Sequence, residues 1–257
     1  MFNGFLTTLF RPFTYVISEF GRVWFMLMEA AYWTFRRPFK FNNLFKQMEF
    51  VGVKSLVIVI ITGAFTGMVL ALQSYSAFRR FSSEGLVGAT VALSMTRELG
   101  PVLTALMVTG RAGSAMAAEL GSMRVTEQID ALTVMALSPV KYLVVPRVLA
   151  SLLMLPILTV IADFTGILGG YFVGVKLLGI NEGVFISKMV KYVGLDDIYN
   201  GLAKAAVFGL ILSLVSCYKG FYTKGGAEGV GKATTEAVVA SSVTILISDY
   251  VLTSLMF

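Results

Sequence analysis

The sequence predicts an all-α integral membrane protein: an N-terminal interfacial amphipathic helix, then five transmembrane helices, with a short cytoplasmic helix between spans two and three. The composition is the first reason, because 56% of the 257 residues are hydrophobic and only 14% are charged. An average globular chain is about 45–50% apolar and about 25% charged. The second reason is that several nearly uncharged stretches reach the about 20 residues that a spanning helix needs.

Histidine and cysteine usage excludes several kinds of active site. The chain contains no histidine and one cysteine, Cys217. It therefore has no Ser-His-Asp triad, no histidine-ligated metal site and no internal disulfide. The net charge of +6 is not gathered in a basic segment long enough to bind nucleic acid. We expect no catalysis, no metal and no cofactor in this chain, and no nucleic-acid partner.

Charged residues delimit the five predicted spans. These spans are residues 55–78, 85–110, 148–175, 198–218 and 237–257. Four of them contain ionisable residues: Arg97 and Glu98 lie near the midpoint of the second, Asp163 lies in the third, Lys204 in the fourth and Asp249 in the fifth. Such residues are rare inside membranes and are often functional.

Residues 1–50 are predicted to lie in the interface and the cytoplasm. Over the first 35 residues apolar side chains recur at helical spacing, while Arg11, Ser18, Arg22 and Glu29 share another face. This amphipathic pattern is typical of a helix that lies in the membrane interface. A tilted sixth span is the alternative, although several charges would then enter the hydrocarbon at a cost.

The lysine and arginine distribution predicts the orientation. With a cytoplasmic N-terminus, the internal segments 1–54, 111–147 and 219–236 hold 14 Lys and Arg residues, and the external segments 79–84 and 176–197 hold 5. Cytoplasmic loops carry an excess of these residues. Because five spans is an odd number, the sequence predicts a cytoplasmic N-terminus and an external C-terminus. The second external segment is expected to form a small cap.

Four of the ionisable residues are candidates for one network. Arg97, Glu98, Lys204 and Asp249 come from three spans, and their formal charges sum to zero. Each costs about 2.5–3.5 kcal/mol to insert at a span centre, and their expected depths are similar. Two interpretations stay open: the network only holds the helices together, or it lines a cavity for a charged substrate headgroup.

One face of the first span carries an apolar wall near its external end. Its residues, at helical spacing, are Leu70, Ser74, Ala77, Phe78 and Phe81. This face is either ordinary helix packing or a contact surface for an acyl chain. The spacings from Gly63 to Gly67 and from Gly166 to Gly170 also permit close helix contact.

Two cytoplasmic segments contain short patterns. In segment 111–147, residues Thr126–Leu137 are predicted to form a helix with Glu127 and Asp130 on one face; it is either a solvated turn or a docking element. Residues 226–233 nearly match a phosphate-binding P-loop, but Ala233 stands where a magnesium-binding Ser or Thr is required. We expect a flexible glycine-rich loop there and no nucleotide site.

Five runs of sequence resemble the MlaE/YrbE family of ABC-transporter permeases. They are MTRELGP (95–101), GRAGSA (110–115), AELGSM (118–123), TEQIDAL (126–132) and GGAEGVGKATT (225–235). The resemblance covers nearly the whole chain and keeps the motifs in order. It implies a single permease domain over residues 1–257, a homodimer in the bacterial inner membrane and a periplasmic C-terminus.

The resemblance also implies partners and cargo. The partners are an ABC ATPase that binds ATP and magnesium, a STAS-domain subunit and a periplasmic-side MCE-domain lipid-binding protein. The cargo is a phospholipid that moves between the inner and outer membranes, which helps to keep the outer membrane asymmetric.

Residue roles follow from the same resemblance. The Thr126–Leu137 helix would be the coupling helix on the ATPase. The coupling residues would be Glu119, Arg124, Glu127, Gln128 and Asp130. The four intramembrane charges would line or brace the lipid cavity, and the apolar wall would hold acyl chains. The rival interpretations are a stand-alone secondary carrier or channel that uses these charges, and a scaffold subunit that transports nothing.

Overall fold

The computed structural model describes residues 18–19, 21–34, 36 and 41–256, and the regular elements in these ranges are helical, with no β-strand among them. The all-α prediction is confirmed. Residues 21–34 form helix α1, whereas the predicted amphipathic positions before residue 18 lie outside the described residues. The interfacial placement of the N-terminal segment therefore stays a prediction.

Beyond α1, the α-helices follow one another with few loops. In chain order they are α2 (Phe41–Val51), α3 (Leu56–Phe78), α4 (Val87–Ser94), α5 (Gly100–Val108), α6 (Ser114–Val125), α7 (Gln128–Val134), α8 (Val145–Tyr171), α9 (Glu182–Tyr192), α10 (Leu195–Phe221) and α11 (Gly226–Met256). Wider π-helical turns are Met95–Leu99, Thr109–Gly113, Val140–Val144 and Phe172–Leu177.

Five helical stretches in the described part of the chain are long and apolar enough to cross a membrane, as predicted. They are Phe41–Phe81, Glu84–Val125, Val140–Leu177, Leu195–Phe221 and Gly226–Met256. Each covers its predicted span up to residue 256. The helices are longer than the predicted spans because charge-free stretches mark only the part of a helix that lies in hydrocarbon.

The second span differs most from the prediction. The sequence predicts its end at residue 110, but the helix continues through α6 to Val125. Small residues let α6 pack directly on α10: a Cβ on Gly220 would lie 2.6 Å from the carbonyl oxygen of Ala117. Because α10 offers α6 an apolar partner, the helix continues past the predicted end of the span at residue 110.

Helices α3 and α8 cross with their backbones in contact. A Cβ on Gly67 would overlap the carbonyl oxygen of Gly166, and a Cβ on Gly63 would lie 2.7 Å from the carbonyl oxygen of Ala162. Only residues without a side chain allow two helices to approach so closely. The small-residue spacing noted in the sequence therefore marks a helix crossing.

Helices α8 and α10 form the centre of the bundle. Helix α8 contacts α2, α3 and α5, while α10 contacts α5, α6, α8 and α11. Their shared core includes Leu155, Leu158, Phe208 and Leu212. Helix α11 is peripheral and buries only a narrow line of residues, namely Ala233, Ala237, Ser241 and Ile245. Most of its surface is therefore left for lipid or for a partner.

Two short helices cover opposite ends of the bundle, which we call the α7 end and the α9 end. Helix α7 is shorter than the predicted Thr126–Leu137 helix because Glu127 and Ala136 on either side have φ values of 58° and 57°, which an α-helix does not accommodate. Helix α9 forms the predicted cap over the other end. Asn181 accepts a hydrogen bond from the Val184 backbone N–H at 3.2 Å and so caps this helix.

Candidate functional site

The candidate site begins at the π-helical turn Met95–Leu99, which interrupts span two. The turn lies just before Pro101, which has no backbone N–H. The carbonyl oxygen of Arg97, four residues earlier, therefore lacks its usual α-helical donor. Single π-helical turns of this kind often occur at functional sites. This one carries the predicted site residues Arg97 and Glu98.

Lys204 lies at the centre of the site, and its side chain is fully buried. Its ammonium donates hydrogen bonds to Glu98 Oε1 at 2.8 Å, to Asp249 Oδ1 at 3.3 Å and to Thr253 Oγ1 at 2.7 Å. The carbonyl oxygen of Arg97 is a fourth acceptor at 3.1 Å, so one of the three N–H groups is shared between two acceptors. We call Glu98, Lys204, Asp249 and Thr253 the Lys204 cluster; it joins span two to α10 and α11.

The Lys204 cluster carries two negative charges and one positive charge. The Lys204 side chain is 0% exposed, whereas those of Glu98 and Asp249 are 36% and 20% exposed. The ammonium is thus enclosed by its partners, as a buried charge must be. The excess negative charge lies on the more accessible carboxylates, so the cluster can attract a second cationic group from outside the bundle.

The predicted four-residue network forms only in part, because the Arg97 guanidinium points elsewhere. It contacts Asp197 Oδ1, at 2.7 Å from Nε and 2.6 Å from Nη2. Asp197 lies in the first turn of α10, at the α9 end. Since the helix of span two continues to Val125, Arg97 lies nearer the α9 end than the predicted midpoint, and its long side chain reaches that end. Arg97 joins the Lys204 cluster through its backbone.

Two glycines allow neighbouring helices to approach the π-helical turn. A Cβ on Gly201 would overlap the carbonyl oxygen of Thr96, and a Cβ on Gly100 would overlap the carboxylate of Asp163. Gly201 precedes Lys204 by three residues, so this contact fixes the position of the lysine against the turn. Asp163 Oδ1 is buried without a hydrogen-bond partner among the described atoms and lies apart from the Lys204 cluster.

The predicted apolar wall on α3 divides into two parts. Leu70 borders a groove of about 370 Å³, whose other lining residues are Phe65, Thr66, Val69, Gln73 and Leu99. Phe78 packs against the core at the α9 end, and Ser74 is half-buried. Ala77 and Phe81 are exposed, and Phe81 lies in a short turn beyond α3. Leu70 shares its groove with Leu99, which lies in the π-helical turn.

The residues predicted to couple to an ATPase lie in different contacts. Glu119 Oε2 pairs at 2.7 Å with Arg147, whose side chain is only 4% exposed. Glu119 therefore holds α6 against the beginning of α8. Arg124 pairs with Asp130, and this contact ties α7 to the end of α6.

The surface of α7 that faces away from the bundle is partly apolar. Val134 and Met135 are 87% and 60% exposed, whereas Ile129 is buried against the bundle. Glu127 and Gln128 are exposed beside them. Because exposed apolar side chains beyond the ends of the spans have no lipid to cover them, this surface is suited to a protein partner.

Residues 226–233, which resemble a P-loop, form the first turns of α11, so the prediction of a glycine-rich loop is wrong. Gly225 and Gly226 have φ values of 94° and 65°, which glycine adopts without strain. A Cβ on Gly229 would overlap the carbonyl oxygen of Lys224. The glycines therefore serve a tight turn and close packing at the start of a helix.

Asp197 and Thr253 belong to the site, but the sequence analysis does not identify them. Asp197 lies one residue before the predicted span 198–218, so it was counted with an external segment. Thr253 is uncharged, and a search for intramembrane charges passes over it. Its position one helical turn after Asp249 was the available signal, because residues four apart share a helix face.

Comparison with known proteins gives consistent matches over this region. The family model described as permease MlaE matches residues 44–255. A probable ABC transporter permease protein of Rickettsia bellii is 50% identical over 222 residues, which cover 86% of this chain and 86% of the relative. The matched region of the family model contains the whole Lys204 cluster and α7.

Two further relatives carry more specific names. The intermembrane phospholipid transport system permease protein MlaE of Haemophilus influenzae is 40% identical over 258 residues, covering 100% of this chain and 99% of the relative. The chloroplastic protein TRIGALACTOSYLDIACYLGLYCEROL 1 of Arabidopsis thaliana is 41% identical over 216 residues, covering 84% of this chain and 62% of the relative.

Proposed function

This chain belongs to the MlaE permease family, and from that membership we propose that it is the membrane-spanning subunit of an ATP-driven phospholipid transporter. The chain is a multi-pass membrane protein. In the proposal it forms a homodimer in a bacterial inner membrane, with a cytoplasmic N-terminus and a periplasmic C-terminus. It passes phospholipid between the inner and outer membranes and so supports outer-membrane asymmetry.

The observation that carries the proposal is the Lys204 cluster on a span that also contributes to the groove at Leu70, through Leu99, the residue after Glu98. A zwitterionic phospholipid presents an ammonium, a phosphate and two acyl chains. The excess carboxylate charge of Glu98 and Asp249 offers the ammonium a partner, and the apolar side of the groove offers an acyl chain a surface. Intramembrane charges of this kind mark substrate pathways in transporters.

The proposed energy source is ATP, bound with magnesium by a separate ABC ATPase. Helix α7 is the proposed coupling helix, because Val134 and Met135 are exposed at its end and the Arg124–Asp130 pair ties it to span two. Nucleotide binding by the partner biases the bundle only if it favours one of two conformations. A STAS-domain subunit on the ATPase and an MCE-domain protein at the α9 end complete the proposed assembly.

Purification of the chain from its native membrane in mild detergent, followed by mass spectrometry of bound proteins and lipids, tests the proposal. We expect a stoichiometric ABC ATPase and bound phospholipid. A well-folded chain that purifies without an ATPase contradicts the proposal.

A matched pair of variants tests the role of α7. Val134→Asp introduces a charge at the proposed ATPase contact and is expected to reduce ATPase recovery. Val190→Asp makes the same change at a site that is 69% exposed on α9, at the opposite end, and is expected to leave ATPase recovery unchanged. Equal recovery with both variants would exclude α7 as the coupling helix.

The buried charges also support a second candidate, a stand-alone carrier or channel in which the Lys204 cluster relays protons or ions. This candidate predicts transport by the chain alone in vesicles, driven by a proton gradient and unaffected by ATP. The transporter-subunit proposal predicts that the same vesicles are inactive until the ATPase and ATP are supplied.

A further inference from the structure

A second groove lies on the other half of the bundle, between α1, α10 and α11, and the Lys204 cluster contributes nothing to it. Its volume is about 340 Å³. Its lining includes Glu19, Leu210, Tyr218, Lys219, Ala240 and Thr244. Helix α10 supplies one wall, α1 the second, and the two small residues of α11 leave the space between them.

The walls of this α1–α10–α11 groove are apolar, and the hydroxyl group of Thr244 does not change this. Thr244 Oγ1 donates a hydrogen bond to the carbonyl oxygen of Ala240 in its own helix at 2.7 Å. Its hydroxyl hydrogen is therefore used, and the residue adds little polarity to the wall. A long aliphatic group can therefore lie on this surface without depriving the Thr244 hydroxyl of its hydrogen bond.

One end of the groove is polar and lies at the α7 end. Glu19 accepts hydrogen bonds from the Tyr218 hydroxyl at 3.0 Å and from the Lys219 ammonium at 3.2 Å, and Lys219 also donates to Glu236 at 3.2 Å. Arg22 lies 3.9 Å from Glu19. Two carboxylates and two cations therefore surround this end, and their charges balance.

The length of the groove matches one leaflet. From Lys219 to Leu210, the two ends of its α10 wall, helix α10 advances about 14 Å at 1.5 Å per residue. Half of a hydrocarbon core of about 30 Å is about 15 Å. The groove thus extends from headgroup level towards the bilayer centre, with its polar end at the membrane surface.

We propose that the α1–α10–α11 groove binds one acyl chain of a zwitterionic phospholipid from the leaflet at the α7 end, with the headgroup beside Glu19, Lys219 and Glu236. Together with Arg22, which lies 3.9 Å from Glu19, these side chains carry two charges of each sign and so match a headgroup that carries one of each. The site depends on the membrane placement of the chain and not on the transport proposal.

Photolabelling tests the site in the full chain, reconstituted in nanodiscs of phosphatidylethanolamine that contain a phosphatidylethanolamine probe with a diazirine halfway along one acyl chain. We expect adducts concentrated on residues 210–215, above those on Phe65, which is 62% exposed on α3. Labelling of residues 210–215 no stronger than that of Phe65 overturns the proposal, because Phe65 then reports ordinary lipid contact.

Filling the groove supplies the matched control. Ala240→Phe places a ring in it and is expected to lower the adduct yield at residues 210–215 by about tenfold or more, because excluding two or more methylenes suffices for that change. Val239→Phe makes a similar change at the neighbouring position, which is 57% exposed, and is expected to alter the yield by less than about twofold. If Ala240→Phe does not accumulate, Thr244→Leu replaces it; unchanged labelling in the filled variant overturns the proposal.

Two further comparisons fix the ligand and separate this site from transport. A phosphatidylglycerol probe that labels the groove as strongly as the phosphatidylethanolamine probe overturns the headgroup assignment. The isolated chain and the intact complex are also compared. If only the isolated chain is labelled, a partner helix fills the groove in the complex, and the proposal of a lipid site is overturned. Lys204→Met is expected to abolish transport and to leave the groove adducts unchanged, so the two proposals fail independently.

Discussion

The ammonium of Lys204 lies 3.1 Å from the carbonyl oxygen of Arg97, the same oxygen that Pro101 deprives of its α-helical donor. Gly201 allows this contact, because any side chain there would overlap the backbone of the π-helical turn at Thr96. A proline, a lysine and a glycine from two helices are therefore parts of one structural unit, and each can be tested separately.

Pro101→Ala is expected to reduce lipid transfer while leaving the fold intact. The new backbone N–H competes with Lys204 for the carbonyl oxygen of Arg97, and the π-helical turn can tighten towards an α-helix. A net hydrogen bond contributes about 0.5–1.5 kcal/mol, so we expect a loss of about 2- to 10-fold in transfer between vesicles. Pro156→Ala, inside α8, is the control and should not lower transfer; equal losses would contradict the assignment.

The two carboxylates of the Lys204 cluster are expected to substitute for each other in stability but not in transport. Glu98→Gln or Asp249→Asn leaves the buried ammonium one charged partner, so each single variant should fold. The double variant leaves a buried charge without a counterion, at a cost of about 3–5 kcal/mol. Thermal unfolding in detergent measures the difference.

Lipid transfer by the single variants provides the second measurement. Each of them removes the excess negative charge that we assign to headgroup binding, so transfer should fall in both. Asp197→Asn is the comparison, because it changes the Arg97 pair and the hydrogen bond from the Gly194 N–H but none of the contacts of Lys204. A double variant as stable as the parent protein would show that Lys204 is not held by these carboxylates.

The sequence predicts the spans well because an uncharged stretch of membrane length has few alternatives to a helix. It also predicts that Glu98, Lys204 and Asp249 meet, because isolated charges at similar depth need partners. It fails for Arg97, since the depth of that residue depends on where the helix ends, and α6 extends the helix to Val125 only by packing on α10.

The two grooves cannot be predicted from a single sequence, for a related reason. Each lies between helices whose partners are set by the whole fold, and the α1–α10–α11 groove also depends on small residues of α11. Ala240 and Thr244 are unremarkable in sequence, and their effect is visible only once α1 and α10 lie beside them. Likewise, the glycines of residues 225–231 resemble a loop in sequence, because the close contact of Gly229 with the carbonyl oxygen of Lys224 is visible only in the fold.

Gly67→Ala is expected to destabilise the bundle strongly, although it adds only one methyl group. The added methyl group would overlap the carbonyl oxygen of Gly166, so α3 and α8 must separate, and overpacking of this kind costs about 1–3 kcal/mol. Gly231→Ala is the control, because no atom lies within 4 Å of a Cβ at that helical position. We expect it to be neutral or to stabilise by up to about 1 kcal/mol. Thermal unfolding in detergent compares the two; similar melting temperatures would show that the helices do not cross here.

Glu119→Ala and Asp130→Ala are expected to separate a structural carboxylate from one that acts on the ATPase. Each removes the partner of an arginine, but Arg147 is buried and Arg124 is 37% exposed. Within the described part of the chain, loss of Glu119 leaves the terminal nitrogens of the buried Arg147 guanidinium with the Leu143 carbonyl oxygen as their acceptor, so unfolding should become easier by up to about 3–5 kcal/mol. Loss of Asp130 should cost less than about 1 kcal/mol, because the pair is exposed, yet it should weaken ATPase stimulation since α7 loses its tie to α6.

Unfolding measured beside ATPase activity in the reconstituted complex distinguishes the two roles, and a stable Glu119→Ala protein with lost stimulation would reassign Glu119 to the ATPase contact.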